Sequence, residues 1–271
     1  MIEYVDDAAD PRLESYRNVP DPELLRSRHR FIVEGRAVVA RALASPFFAI
    51  ESVLVTETAL EALSEPLSRA RVVVYVTAVE VVRQVTGFNL HRGCLAVGIR
   101  PGDDRLSARV DGALAMGRPV LVLERVADAD NVGSVFRSAS ALGAGGVLLV
   151  RGSCDPLYRK SVRVSMGGVF DVPFAWVDSV ADARARLTPH GYRVVALTPA
   201  GETSLDACPR PSTAAERRVA LVVGTEGSGL SADAEAMADA RVRIAMAAGV
   251  DSLNVSTAAA IAMHWFSVLG K

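Results

Sequence analysis

The second half of the chain alternates short apolar runs with helical stretches, and this alternation limits the fold more than any other feature. Strands are predicted at 120–123, 147–150, 172–177, 193–197, 219–223 and 242–245, with helices near 132–142, 179–187, 231–238 and 254–269. Short apolar strands separated by helices form a parallel sheet covered on both faces. Ligands of such sheets bind beyond the carboxyl ends of the strands. We therefore predict an α/β fold with its site at that edge.

The first half shows a smaller version of the same pattern. Strands are predicted at 31–33, 50–55, 72–76 and 94–99, with helices near 36–43, 58–63 and 78–85. Pro101-Gly102-Asp103-Asp104 then begins a polar stretch with turn chemistry. A chain of 271 residues is long for one domain and comfortable for two. We predict a small α/β domain at 1–105, a linker at 106–117 and a second domain at 118–271.

Composition narrows the chemistry and the location. Cys94, Cys154 and Cys208 are far apart and form no CxxC pair, and the histidines are equally scattered, so we predict neither disulfides nor a metal. Every long apolar stretch is interrupted before the roughly 18 to 20 residues that span a bilayer. Segment 1–10 is acidic and lacks the order of a secretion signal. We predict no membrane segment and a cytoplasmic location.

The first of three polar clusters follows the strand at 120–123. Asp128, Asp130 and Asn131 all suit a helix N-terminus, and we predict an asparagine cap at Asn131. Arg137 does not fit the core helix that follows. It is either an arginine reaching to the surface or a fixed cation aimed at a phosphate group, and the residues alone leave both open.

The second cluster is Gly-Thr-Glu-Gly-Ser-Gly-Leu at 224–230, directly after a predicted strand. Its glycines let a ligand approach the backbone. No Gly-Lys-Ser/Thr follows and no G-x-G-x-x-G follows a strand, which argues against a Walker loop and a dinucleotide-binding oxidoreductase. Glu226 suits a zwitterionic, cationic or hydroxyl-rich ligand better than a phosphate. The alternative is an acidic loop that caps the next helix.

The third cluster, Asp-Ser-Leu-Asn-Val-Ser-Thr at 251–257, places small polar side chains where an apolar helix begins. Asn254 or Ser256 is the predicted cap. The preceding stretch 244–250 is apolar with one glycine, and could line a pocket for a flat, mostly uncharged group such as adenine. An ordinary capped helix is the alternative.

The three clusters together resemble the signature motifs of the SpoU (TrmH-like) family, which are S-adenosylmethionine-dependent RNA ribose 2′-O-methyltransferases of the SPOUT superfamily. The motifs are Asn131-x-Gly133-x-x-x-Arg137, Gly224-x-Glu226-Gly227-x-Gly229-Leu230 and Ser252-Leu253-Asn254-Val255-Ser256. The likeness covers 118–269. Segment 28–35 carries a fainter likeness to the L30e-like RNA-binding domain. The resemblance implies a SPOUT domain with a parallel sheet and a deep trefoil knot, preceded by an L30e-like α/β domain.

The resemblance also implies a site in which S-adenosylmethionine is held in the knot. The cofactor-binding residues it implies are Leu197, Thr198, Pro199, Gly224, Gly229, Ile244, Met246, Leu253 and Ser256. A ribose 2′-hydroxyl would attack the sulfonium methyl group beside Arg137, Asn131, Glu226 and Asn254. A guanidinium stays protonated near neutral pH. We therefore expect Arg137 to clamp a phosphate and stabilise oxyanion charge, while Glu226 and Asn254 orient the reacting groups.

RNA and a second subunit are the implied partners. A net charge of −1 leaves only local basic patches for an anionic RNA. The predicted RNA-binding residues are Arg28, His29, Arg30, Arg151, Arg159 and Lys160, although each group could be a solvated face. The helix at 254–269 is apolar nearly all round, so we expect it to be buried on more than one side. The resemblance implies a homodimer through this helix, which also completes the site.

The additional amino-terminal domain makes ribosomal RNA the expected substrate, by analogy with the family. Transfer RNA is the first alternative. A non-catalytic RNA-binding or ribosome-assembly factor on the same fold is the second.

Overall fold

The computed structural model describes residues 1–17, 21–87, 93–213 and 215–267. The strands along the chain are β1 (Ile2–Tyr4), β2 (Arg30–Glu34), β3 (Ala49–Val55), β4 (Val73–Val76), β5 (Cys94–Ile99), β6 (Val120–Leu123), β7 (Gly146–Val150), β8 (Phe174–Val177), β9 (Arg193–Leu197), β10 (Thr203–Ser204), β11 (Val219–Val223) and β12 (Ala240–Arg243).

The α-helices are α1 (Asp21–Ser27), α2 (Arg36–Leu43), α3 (Glu57–Ala62), α4 (Ser64–Arg69), α5 (Val79–Thr86), α6 (Asp103–Leu114), α7 (Ala129–Ala141), α8 (Arg159–Val164), α9 (Gly168–Asp171), α10 (Val180–Leu187), α11 (Ala232–Ala236) and α12 (Val255–Phe266). Among the described residues, no helix has the length and apolar character needed to cross a bilayer.

The chain forms two compact units whose boundaries differ from the predicted division. One unit contains Met1–Pro101 together with Leu157–Phe170, and the other contains Gly102–Pro156 together with Asp171–Lys271. Segment 157–170 therefore belongs with the amino-terminal unit, although it lies far along the chain. The predicted linker at 106–117 falls largely within helix α6, whose Leu106, Val110 and Leu114 are buried. Asp103 and Asp104, which suggested a turn, form the acidic first turn of α6, where negative charge is favourable.

The amino-terminal unit has a mixed sheet in the order β1-β4-β3-β5-β2. Strands β1, β4 and β3 are parallel, and β5 is antiparallel to both β3 and β2. Phe170 comes from the inserted segment, and its ring centroid lies 5.3 Å from that of Phe48 and 6.1 Å from that of Phe31. Aromatic packing therefore fixes the inserted segment in this core.

The second unit has a seven-stranded sheet in the order β10-β12-β9-β11-β6-β7-β8. All of its strand pairs are parallel, which confirms the predicted α/β fold with a parallel sheet. Its strands are buried apolar runs: every residue of β6, β7 and β11 is buried. Helix α12 packs on α7 and β11.

Two predicted elements differ in extent at the edge that carries the polar clusters. Strand β12 ends at Arg243, so Ile244 and Ala245 lie in the loop that follows instead of in a strand. Helix α12 ends at Phe266, and the predicted helical residues Val268 and Leu269 lie outside the described residues. The helix is not buried all round within one chain, because Ile261 is 38 % exposed.

Candidate active site

Three side chains from the three sequence clusters meet in one hydrogen-bonded group, which we call the polar triad: Asn131, Glu226 and Asn254. The amide Nδ2 of Asn131 donates to Glu226 Oε1 at 2.8 Å. The amide Nδ2 of Asn254 donates to Glu226 Oε1 and to Asn131 Oδ1, each at 2.8 Å. A carboxylate that accepts two amide donors is held in one orientation.

Asp128 caps helix α7, so the Asn131 side chain is available to the polar triad. The Oδ1 atom of Asp128 accepts the backbone N–H groups of Asp130 at 2.6 Å and Asn131 at 3.3 Å, which makes Asp128 the cap of α7. The predicted cap at Asn131 is wrong by three residues, because a cap accepts from backbone N–H groups two and three positions later. The Asn131 side chain therefore has both ends available for Glu226 and Asn254.

Asn254 serves as helix cap and triad member at once. Its Oδ1 atom accepts the backbone N–H groups of Ser256 at 2.9 Å and Thr257 at 3.3 Å, while its Nδ2 atom serves the triad. The Ser256 hydroxyl also donates to this Oδ1 atom at 2.6 Å. Only an amide supplies an acceptor and two donors in one short side chain.

The loop that presents Glu226 depends on glycine. We call residues 224–230 the glycine loop. The backbone N–H of Gly229 donates to the Thr225 carbonyl at 3.0 Å, and Gly229 has a φ of +69°. A Cβ atom on Gly224 would lie 2.3 Å from the Gly229 carbonyl group, so no side chain fits there. These close approaches fold the loop into a tight turn beside the triad.

A cavity of about 610 Å³ opens at this edge of the sheet, within the size range of small-molecule sites. It lies between the loops that follow β9, β11 and β12. Its lining includes, from the predicted cofactor-binding set, Leu197, Thr198, Pro199, Gly224, Gly229, Ile244, Met246 and Leu253. Ser256, predicted for the same role, is not part of the lining and instead bonds to Asn254. Glu226 and Asn254 lie in the cavity wall.

The cavity wall is acidic. Glu226, Glu235 and Asp251 contribute to it, and none of its described lining residues is arginine, lysine or histidine. Glu235 and Asp251 were not anticipated from the sequence, because an isolated acid on a short helix or in a loop has no distinguishing spacing. A wall with three carboxylates and no basic side chain favours a ligand that carries positive charge.

Arg137 lies apart from the polar triad within the single chain. It is exposed on α7, and among the described residues no hydrogen bond or ion pair joins it to the triad. It follows Asn131 by six residues, which places it about 9 Å further along the helix and on a different side. The structure thus assembles three of the four predicted catalytic residues and leaves the fourth on the surface.

Glu124 and Ser231 form a partly buried contact at the end of the glycine loop, and sequence reasoning missed it. Glu124 follows β6 directly and is 7 % exposed. Its Oε2 atom accepts the backbone N–H of Ser231 at 2.9 Å, and its Oε1 atom accepts the Ser231 hydroxyl at 2.7 Å. Ser231 in turn caps α11. A glutamate at the end of a strand gives no local signal of a partner more than one hundred residues later.

The predicted RNA-binding arginines lie near acidic side chains. The ion pairs within 4.0 Å are Arg28 with Glu14 and Glu23, Arg30 with Glu51, Arg151 with Asp178, and Arg159 with Glu34. His29 adopts a left-handed backbone conformation with a φ of +51°, and Lys160 is exposed in α8. The Arg151–Asp178 pair is exposed on both sides, and an ion pair of that kind contributes at most about 1 kcal/mol.

The fold and site together define an α/β protein with a small-molecule cavity at the carboxyl edge of a parallel sheet. The family described as the SpoU rRNA Methylase family matches residues 118–264. An uncharacterized tRNA/rRNA methyltransferase of Mycobacterium bovis is 39 % identical over 270 residues, which cover 97 % of this chain and 91 % of the relative. The chain belongs to the SpoU rRNA methylase family, which confirms the resemblance drawn from its three motifs.

Solved structures share the fold over nearly the whole chain. A structure described as an RNA 2′-O ribose methyltransferase matches with a TM-score of 0.75 and 26 % identity, covering 97 % of each chain. A structure of an AdoMet-bound rRNA methyltransferase from Sinorhizobium meliloti matches with a TM-score of 0.79 and 24 % identity, covering 97 % of this chain and 96 % of that one. The second match, at its lower identity, shows the fold alone.

Proposed function

We propose that this protein transfers the methyl group of S-adenosylmethionine to a ribose 2′-hydroxyl in RNA, with ribosomal RNA as the substrate. The observation that carries the proposal is the polar triad, in which Glu226 and Asn254 line a cavity of suitable size. Family membership supports RNA methylation, and the solved structure with 26 % identity is described as a 2′-O ribose methyltransferase.

The cavity fits the methyl donor chemically. The donor carries a sulfonium cation and an ammonium group, which suit a wall containing Glu226, Glu235 and Asp251. Its adenine is flat and mostly uncharged, which suits the apolar side chains of Leu197, Ile244 and further lining residues. When bound, S-adenosylmethionine supplies an electrophilic methyl group.

The triad can position the nucleophile. Both amide donors engage Oε1 of Glu226, and Oε2 has no hydrogen bond among the described residues. We infer that Oε2 accepts the O–H of the ribose hydroxyl and aligns its lone pair with the methyl group. Such alignment can lower the barrier by several kcal/mol. Asn131 and Asn254 prevent Glu226 from rotating away.

Arg137 is proposed to bind the phosphate next to the reacting ribose and to stabilise developing negative charge. Because Arg137 is exposed and apart from the triad, we propose that a second copy of the chain completes the site. Helix α12 packs on α7, and its residue Ile261 is exposed. These two features support a homodimer through these helices.

The test of these roles separates methyl transfer from donor binding. Arg137→Ala should abolish transfer to RNA while calorimetry shows nearly unchanged S-adenosylmethionine affinity, since Arg137 does not line the cavity. Arg193→Ala is the matched control, because Arg193 is an exposed arginine at the amino end of β9, the opposite edge of the sheet. Equal loss of binding and transfer in Arg137→Ala would contradict this assignment.

The RNA is identified by mapping 2′-O-methyl groups in cells with and without the gene. We expect one ribose of ribosomal RNA to lose its methyl group. A loss confined to transfer RNA would support that alternative, and RNA binding without any loss would support a non-catalytic assembly factor. Charge reversal at Arg28 and Arg30 should weaken RNA retention without changing donor affinity, because both lie outside the cavity.

Three further features remain proposals. The mixed sheet that contains β2 is proposed as the L30e-like RNA-binding domain. A trefoil knot is proposed for the carboxyl-terminal part, supported by the strand order β12-β9-β11-β6 and by the return of α12 to pack on α7 and β11. A cytoplasmic location is proposed from the acidic character of segment 1–10 and from the interruption of every long apolar stretch.

A further inference from the structure

We propose that Glu124 is a positioning residue that holds the glycine loop in place at the wall of the cavity proposed for the methyl donor. The loop begins directly after Val223 and ends directly before Ser231. Glu124 binds the residue at each of these ends. Its backbone N–H donates to the Val223 carbonyl at 2.8 Å, and its carboxylate accepts two hydrogen bonds from Ser231.

The loop needs such a constraint because three of its seven residues are glycines. Glycine has more backbone freedom to lose on ordering than any other residue. Fixing both ends of a short loop to one rigid residue removes much of that freedom before a ligand arrives. The loop is therefore ordered before the ligand binds, and ligand binding does not have to offset the entropy lost on ordering it.

Burial makes the contact specific to Ser231. A carboxylate that is only 7 % exposed requires hydrogen bonds, and among the described residues both side-chain bonds of Glu124 come from Ser231. Removing the Ser231 hydroxyl leaves the buried Glu124 carboxylate with one of its two side-chain hydrogen bonds, and leaving a buried charged acceptor partly unsatisfied is costly. The loop end would then move to reach another partner or water.

The glycine loop supplies residues to the part of the site where methyl transfer is proposed. Glu226 lies within it, and Gly224, Gly229 and Leu230 line the cavity. A displaced Ser231 would shift Leu230 and Gly229 directly, and Gly224 through its close approach to the Gly229 backbone. Glu124 does not line the cavity, so it acts through the loop. The inference rests on the proposed function, which places the donor in this cavity.

The experiment measures S-adenosylmethionine affinity, methyl-transfer rate and melting temperature in the full-length chain. Glu124→Gln and Ser231→Ala should each weaken donor binding by roughly fivefold to tenfold, the equivalent of one ordinary hydrogen bond. The double variant should lose less donor affinity than the sum of the two single losses, because both substitutions act on the same contact. Ser231→Thr keeps the N–H and the hydroxyl and should bind like the unaltered chain.

A matched control separates positioning from stability. Ser179 caps α10 as Ser231 caps α11, each accepting a backbone N–H three residues later at 3.1 Å. Ser179→Ala should therefore lower the melting temperature as Ser231→Ala does, but leave donor affinity unchanged. If both serine variants lose only stability, the positioning role of Glu124 is overturned.

The proposed function is checked independently in the same series. The unaltered chain must bind S-adenosylmethionine, and Gly224→Ala must weaken that binding. If either fails, the placement of the donor is wrong. If both hold while Glu124→Gln binds normally, only the role of Glu124 is wrong.

Discussion

At the scale of single residues, Asn254 shows how one side chain joins folding to the site. Its Oδ1 atom starts helix α12 while its Nδ2 atom fixes Glu226 and Asn131. The capping role of Asn254 was readable from its position before an apolar run. The acceptors of its Nδ2 group could not be predicted from the sequence, because they lie 28 and 123 residues away along the chain.

Asn254→Asp tests this double role. The new carboxylate keeps the helix cap but lies beside the carboxylate of Glu226, and repulsion between the two like charges raises the pKa of the new carboxyl group. A folded-state pKa above the unfolded value means that stability is full at low pH and falls as pH rises through the raised pKa. We expect the melting temperature to drop between about pH 5 and pH 8 more than in the unaltered chain.

Glu226→Gln in the Asn254→Asp background is the control, because it removes the repelling carboxylate. The extra pH dependence should then disappear. If it persists, the two side chains do not meet as described.

The acidic cavity wall makes a second prediction at the residue scale. Asp251→Asn combined with Glu235→Gln should weaken S-adenosylmethionine binding by roughly twofold to tenfold for each charge removed. Binding of the demethylated product should weaken less, because the product has lost the sulfonium charge. Calorimetry with both ligands measures the ratio.

Asp233→Asn is the matched control for this charge effect. Asp233 is exposed on the same helix as Glu235 but does not line the cavity. The control should leave the ratio of the two affinities unchanged. An equal loss for both ligands in the double variant would show that these acids do not recognise the sulfonium.

At the scale of elements, the glycine loop and its neighbouring caps decide the geometry of the site. Strands β6, β9 and β11 lie within the residues predicted for them, because buried parallel strands are continuous apolar runs. Helix α7 was predicted too short and its cap misplaced, since several residues near its start could serve as caps. Helix α8 was not predicted from the sequence, because its six residues are too few to show a helical period.

Gly224→Ala tests the glycine loop. The added Cβ would lie 2.3 Å from the Gly229 carbonyl group, so the backbone must separate and the cavity wall must change. We expect at least a tenfold loss of S-adenosylmethionine affinity and a lower melting temperature, measured by calorimetry and thermal unfolding.

Gly112→Ala provides the opposite result as a control. Gly112 lies inside α6, and an added Cβ would meet nothing within 4 Å. Alanine in a helix interior stabilises by about 0.5–1 kcal/mol relative to glycine. This variant should melt higher and bind the donor normally, which would show that loss in Gly224→Ala is local to the loop.

At the scale of the whole molecule, the two compact units do not follow the order of the chain. Segment 157–170 lies between β7 and β8 in sequence but packs with residues 1–101. Leu157, Val162 and Phe170 are almost fully buried there. The amino-terminal part therefore supplies the core for a segment that the family match assigns to the methyltransferase region.

A chain that starts at residue 102 tests this organisation. Without Phe31 and Phe48, the rings that pack on Phe170 are lost and its apolar surface becomes exposed. We expect the shortened chain to bind a hydrophobic dye and to aggregate more readily than the full chain. Leu157→Ser with Phe170→Ser in the shortened chain should reduce both effects, whereas a shortened chain that behaves like the full one would contradict the assignment.

The sequence by itself determined the α/β class, the parallel sheet, most strand positions and the family, because these depend on local periodicity and on short motifs. Only the tertiary structure decided that Asn131, Glu226 and Asn254 share hydrogen bonds, that Arg137 lies outside their group, and that Glu124 binds both ends of the glycine loop. The placement of segment 157–170 was decided there as well. The physical reason is that contacts between residues far apart in the chain depend on how the sheet brings its loops to one edge, and no local pattern records which loops will meet.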